Sequence, residues 1–150
     1  MCARHHLSIL LAACACRPEA AEEPVFDRTF APLDVVKRCK NRTDHSSSTE
    51  DREIDALTIA LTDGVHYVNP PTIGCELRAQ VEGTRLRFRP QSCAKGAGEQ
   101  SEIEGTAQFD AEGLLEIHLT SVEFWPPSPD LWPDGLWWDC GHDYLLEPLE

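Results

Sequence analysis

From Leu57 to Phe124 apolar and polar residues alternate with a period of two, one run after another, with short turn signals between the runs. Alternation of this kind puts every second side chain on one face, as in strands that are dry on one side and wet on the other. The stretch Gly74 to Cys93 shows it best. Leu77, Ala79 and Val81 fall on one face and Arg78, Gln80 and Glu82 on the other. After a two-residue turn at Gly83-Thr84, Leu86 and Phe88 face inward while Arg85, Arg87 and Arg89 face outward. This turn sets Val81 opposite Leu86 and Ala79 opposite Phe88. It also sets Cys75 opposite Ser92, one residue from Cys93. Pro90, which has no N–H to give a ladder, marks a bulge able to absorb that slip.

Other runs extend the pattern. Val25 to Lys40 alternates loosely around Phe26, Phe30, Leu33 and Val35 and supplies a first strand ending near Cys39. Asn41 to Glu53 is polar throughout and reads as a loop. Leu57, Ile59 and Leu61 share a face, and Asp63-Gly64 turns the chain into Val65–Val68, a second hairpin. Asn69-Pro70-Pro71 ends it, because prolines cannot feed a ladder. Ala94 to Gln100 reads as a flexible connection. Glu102–Asp110 and Leu114–Phe124 form a third pair around Ala111-Glu112-Gly113, and Tyr144–Leu149 a last strand. The expected fold is all-β, a single domain over 25–150: an antiparallel meander of roughly six to eight strands forming a small barrel or a sandwich. On the wet face, Arg85, Arg87 and Arg89 are expected across from Glu102, Glu104 and Glu116, a ladder that selects register more than it adds stability. The same stripe could instead bind an anionic ligand.

Phe124 to Cys140 breaks the alternation, holding all four tryptophans among four prolines. It is expected to be a proline-stiffened loop folded over one end of the sheet. Trp125, Trp132, Trp137 and Trp138 either cap the core or form a platform for a ligand or another protein.

Seven cysteines sharpen the picture. Cys2, Cys14 and Cys16 crowd the N-terminus, while Cys39, Cys75, Cys93 and Cys140 form an even set suited to two disulfides. Four cysteines allow three pairings. If Cys75 takes Cys93, as the hairpin register suggests, Cys39 is left with Cys140. No C-x-x-C occurs among these four, so zinc is not expected, and Asp139-Cys140-Gly141-His142-Asp143 is not read as a metal site.

Residues 1–16, MCARHHLSILLAACAC, combine a weakly basic start, a short apolar run and small residues before a cysteine, which reads as a secretory signal. Leu11-Ala12-Ala13-Cys14 resembles the lipobox of bacterial lipoproteins. The resemblance implies removal of residues 1–13, a diacylglyceryl group on the Cys14 sulfur and acylation of the new amino group. Ala15, where inner-membrane members of that family often carry aspartate, implies the outer membrane of a Gram-negative cell; the alternative is a periplasmic or secreted protein. Residues 14–24 then form a lipidated acidic tether.

The formal charge of −13 makes nucleic acid an unexpected partner. No run of about 20 apolar residues suggests a membrane-spanning helix. The chain has no nucleophile elbow, H-E-x-x-H or Gly-rich phosphate loop. The expectation is therefore a non-catalytic, cofactor-free envelope or interaction domain held on a bilayer by Cys14, with an envelope protein or a small ligand as partner. The alternative is a lipocalin-like binder of a small apolar or sugar ligand beneath the tryptophan loop.

Overall fold

Nine strands and no helix form among residues 22–150, the part of the chain that the computed structural model describes. The expected signal segment 1–13, Cys14 and all but the end of the tether 14–24 lie outside the described residues. The strands are β1 (Arg28–Asn41), β2 (Ser47–Asp51), β3 (Leu57–Thr62), β4 (Val65–Val68), β5 (Leu77–Glu82), β6 (Arg85–Lys95), β7 (Glu99–Phe109), β8 (Leu115–Trp125) and β9 (Leu136–Pro148).

From β3 to β9 each strand pairs antiparallel with the next, and β9 returns to β1, from Phe30↔Pro148 to Asn41↔Trp138. The sheet thus closes into an eight-stranded antiparallel barrel, not a sandwich. The other edge of β1 is divided: Arg28–Phe30 pair with β3 and Val36–Lys40 with β2, the extra strand.

The interior follows from the alternation. Phe30, Ile59, Leu77, Leu86, Phe88, Ile103, Leu115, Ile117, Leu119 and Leu146 are each at most 1% exposed and pack into one cluster. Burying such side chains contributes about 1.5–3 kcal/mol each, which drives the closure. At Gly105 the wall of β7 lies so close to β8 that an added Cβ would stand 2.9 Å from Leu119 Cα and collide with the His118 carbonyl oxygen. Only glycine fits there.

Both disulfides are formed, Cys75–Cys93 and Cys39–Cys140. The first ties the β4–β5 loop to β6 beyond a bulge between Phe88 and Gln91, the slip expected at Pro90. The second joins directly paired residues of β1 and β9 at the barrel seam.

Several expectations need correction. Residues 47–51, read as loop, are strand β2, because an edge strand whose side chains are all exposed carries no apolar period. Leu33 was expected inside but is 52% exposed, since an irregularity between Pro32 and Asp34 throws it outward. Leu61 and Val81 keep the inward phase but overrun the end of the barrel and are nearly half exposed. The expected tryptophan loop is shorter than the segment 124–140: β8 runs to Trp125 and β9 starts at Leu136, so residues 126–135 form the loop and of the four tryptophans only Trp132 sits in it. The arginine–glutamate ladder does not form as drawn. In register Arg85 faces Gln108 and Arg87 faces Thr106, so Arg87 only approaches Glu104, at 3.9 Å.

Candidate functional site at the tryptophan end of the barrel

Along β8 the inward positions read Leu115, Ile117, Leu119, Ser121 and Glu123, and along β9, from the opposite direction, Leu146, Tyr144, His142 and Cys140. The interior is therefore apolar at one end and polar at the other. The β4–β5 loop folds into the polar end, burying Thr72 and Ile73. Two backbone hydrogen bonds to the Pro70 carbonyl, from the N–H groups of Ile73 and Gly74, hold its turn.

There the polar side chains form one continuous chain. Lys37 Nζ donates to both oxygens of Glu123, at 2.8 and 3.0 Å. Ser121 Oγ donates to Glu123 Oε1 at 3.1 Å and lies 2.8 Å from His142 Nε2. His142 Nδ1 lies 2.8 Å from Thr72 Oγ1, which in turn contacts the Tyr144 hydroxyl. The Thr72 N–H donates to that hydroxyl at 3.3 Å. The His142 side chain is fully buried, and those of Glu123 and Lys37 are 5% and 13% exposed.

Charge fixes the direction of every proton. Burial alone would raise the Glu123 carboxyl, but the hydrogen bonds and charge of Lys37, helped by Lys95 and His142, outweigh it and hold the carboxyl below its ordinary value. Glu123 is thus an anion that only accepts, so the single Ser121 proton goes to it. His142 Nε2 must then carry a hydrogen and donate to Ser121, which leaves Nδ1 to accept from Thr72, and Thr72 Oγ1 to accept from Tyr144. Burial, reinforced by the Lys37 charge, pushes the His142 pKa down to about 4, so the ring is neutral at pH 7. Burial likewise raises the Tyr144 hydroxyl, keeping it a donor.

This polarity decides what the chain can do. A serine is activated when histidine nitrogen accepts its proton. Here the nitrogen beside Ser121 donates and the serine proton is committed to a carboxylate. The arrangement resembles a serine–histidine–acid set in membership but runs in the wrong sense for a nucleophile. It is a satisfied, buried network that fixes the β4–β5 loop and one tautomer of one histidine.

The tryptophans extend the same end. Trp125 and Trp138 continue the inward phase of β8 and β9, and their rings meet at 5.9 Å between centroids, with Trp132 6.3 Å from Trp125. The Trp132 indole N–H donates to the Pro126 carbonyl at 3.0 Å, closing the loop. Trp137 points to the opposite face, packs on Phe124 at 4.7 Å and lies under the Arg42 guanidinium at 5.9 Å. Arg42 is itself clamped by both Asp139 oxygens. The structure therefore brings Trp125, Trp132 and Trp138 together and sets Trp137 apart. Trp125 and Trp137 are 38% and 44% exposed, and the Trp138 indole N–H has no acceptor among the described residues. No group of three His, Cys, Asp or Glu side chains stands together as metal ligands would, again among the described residues.

The buried network escaped the sequence reading because the six histidines look scattered. The signal was phase. Extending the alternation of Leu115, Ile117 and Leu119 by two more steps puts Ser121 and Glu123 inside, and extending Leu146 and Tyr144 backwards does the same for His142. Polar residues at inward positions need partners, and these are one another's.

No family model matches this chain, and no curated protein matches it. Among solved structures, it is similar to the crystal structure of a multidomain protein including DUF1735 from Bacteroides ovatus, with a TM-score of 0.33 and 10% sequence identity. The match covers 79% of this chain and 48% of the other, so the chain spans about half the length of that solved protein.

Proposed function

We propose that this chain is an exported, lipid-anchored barrel that acts without catalysis as an interaction domain of the bacterial cell envelope, presenting its tryptophan hairpin away from the membrane. The observation that carries the reading is the opposition of two ends. Phe26, just before β1, is locked against Phe109 at 5.2 Å and His66 at 6.0 Å, so the N-terminal segment enters at the end where β9 finishes. Trp138 stands opposite Asn41 at the far end of the same strand pair, roughly 35 Å along strands that rise about 3.3 Å per residue. Acyl chains on Cys14, each buried methylene contributing about 0.8 kcal/mol, would hold the entry end toward the outer membrane and leave the tryptophans facing out.

Two further observations support it. Both body disulfides are of the kind that persists in exported proteins. The Ser121–His142 contact has the proton order of a structural network. The alternative, a lipocalin-like binder, meets an interior already filled by Phe30, Phe88, Ile117 and their neighbours, so an apolar or sugar ligand would lie instead on the exposed rings of Trp125 and Trp137.

All four tryptophans belong to the far hairpin, so intrinsic fluorescence reports that end alone. The lipidated protein in vesicles of phosphatidylcholine with brominated acyl chains is expected to keep the emission it has in unbrominated vesicles. Strong quenching would place the tryptophans in the bilayer and overturn the proposed orientation.

A further inference from the structure

On the outer wall of the barrel, around the bulge in β6, a groove of about 310 Å³ lies between β5 and β6, with Val65 and Ala79 as its apolar floor and Arg78, Gln80, Arg87, Arg89 and Gln91 as its polar lining. The β5–β6 ladder reaches only Gln80↔Arg87, and beyond it the strands separate. The Gln91 side chain spans the separation. Its Oε1 accepts from the Arg78 N–H at 2.9 Å, and its Nε2 donates to the Arg78 carbonyl at 2.9 Å and the Arg89 carbonyl at 3.2 Å. The amide copies a strand and fixes the backbone under Arg78 and Arg89. The groove is built into the fold, and its size is at the lower end of small-ligand sites.

The charge here is opposite to that of the chain. The chain carries 26 acidic and 13 basic residues, yet four arginines, Arg78, Arg85, Arg87 and Arg89, stand on the outer faces of these two strands. The carboxylates expected to neutralise them are out of register. Glu104 comes no nearer to Arg87 than 3.9 Å, and Arg89 reaches Glu82 at 3.1 Å. Arg78 and Arg85 have no carboxylate within 4 Å among the described residues. One guanidinium, that of Arg78, is therefore left without a carboxylate at a preformed groove that the facing strand lines with the guanidinium-bearing Arg87 and Arg89, Arg87 only loosely paired. Planar forks of this kind match the oxygens of a phosphate or sulfate group.

We propose that this groove binds a tetrahedral oxyanion, a phosphate or sulfate group carried on a small polar molecule, with Arg78 and Arg87 as its main contacts. The negative field of the rest of the chain disfavours long polyanions and leaves a compact anion as the ligand that gains most. The site is on the wall, distinct from the tryptophan end, and does not depend on the anchoring proposed above.

The full chain is titrated at constant ionic strength with inorganic phosphate, sulfate and glucose 6-phosphate, using chloride as the control, and followed by the NMR signals of the arginine side chains. A parallel arm measures binding to phosphatidylglycerol vesicles relative to phosphatidylcholine vesicles. Saturable shifts of Arg78 and Arg87 with the soluble oxyanions, weakened at least tenfold in Arg78→Gln and Arg87→Gln and absent with chloride, are the expected result. Arginine-dependent binding confined to the phosphatidylglycerol vesicles would assign the oxyanion to a lipid headgroup. Shifts that do not saturate, that chloride reproduces, or that both variants retain would overturn the site. Arg85→Gln, outside the groove lining, controls for loss of net charge and is expected to weaken binding less than twofold.

Discussion

Nε2 of His142 lies 2.8 Å from Oγ of Ser121, and the proton between them belongs to the histidine. The reason stands two residues along β8, where Glu123 is ionised by Lys37 and claims the serine proton. Ion pair, tautomer and loop position are thus consequences of one buried charge, which makes them testable together.

Stability is expected to fall with acid. The His142 ring titrates at about 4 when folded against an ordinary 6.5, so the unfolded chain takes up the proton first. The contribution is fully present above about pH 6.5 and is lost as the pH drops toward 4, by about 3 kcal/mol at 1.36 kcal/mol per unit. His66, lowered by burial, and Glu123, held low by Lys37, act in the same direction. Urea unfolding between pH 7.5 and 4 checks this. His142→Gln should flatten the upper part of the slope; an unchanged slope would remove His142 as its source.

Removing one member of the ion pair should do more harm than removing both. Glu123→Leu leaves the Lys37 charge nearly buried and is expected to lose about 3–5 kcal/mol, whereas Lys37→Met combined with Glu123→Leu should recover most of it. Ser121→Ala, which strands the His142 N–H, should lose about 1–3 kcal/mol. A double variant no more stable than Glu123→Leu would contradict the assignment.

The two disulfides close loops of very different size, with sequence separations of 101 and 18. Loop entropy gives about 4.7 kcal/mol for Cys39–Cys140 and about 3 kcal/mol for Cys75–Cys93. Paired Cys→Ala variants unfolded in denaturant should rank in that order, and the intact domain should expose no thiol from these four residues to Ellman's reagent.

Gly105→Ala tests the closure itself. The new Cβ meets backbone of β8 and not a yielding side-chain tip, so a loss of about 1–3 kcal/mol or more is expected in thermal unfolding. A neutral substitution would mean that the two strands are less closely apposed.

Much of the fold was legible in period two. The Gly83-Thr84 hairpin, the Asp63-Gly64 turn, the inward sets of β3, β5 and β6 and the Cys75–Cys93 pair follow from alternation and turn chemistry acting locally, and Cys39–Cys140 follows by elimination once that pair is made. What escaped was non-local. β2 is held by backbone pairing to β1 alone, so its sequence SSTED shows no apolar mark. The bulge that exposes Leu33 arises from fitting β1 to β9, a partner more than 100 residues away. The arginine ladder failed because alternation gives the face of a strand and not its offset from the next. His142 and Glu123 were missed by treating polar residues as outward by default.

The proposed lipid anchor at Cys14 is open to direct test. Cells expressing the full chain are fed an alkyne analogue of palmitate, and the protein is isolated beside Cys14→Ala and Cys16→Ala variants and fractionated between soluble and membrane pools. Label and membrane retention are expected in the full chain and in Cys16→Ala, and both should be lost in Cys14→Ala. A Cys14→Ala protein that still carries the label, or an unlabelled full chain found in the soluble pool, would contradict it.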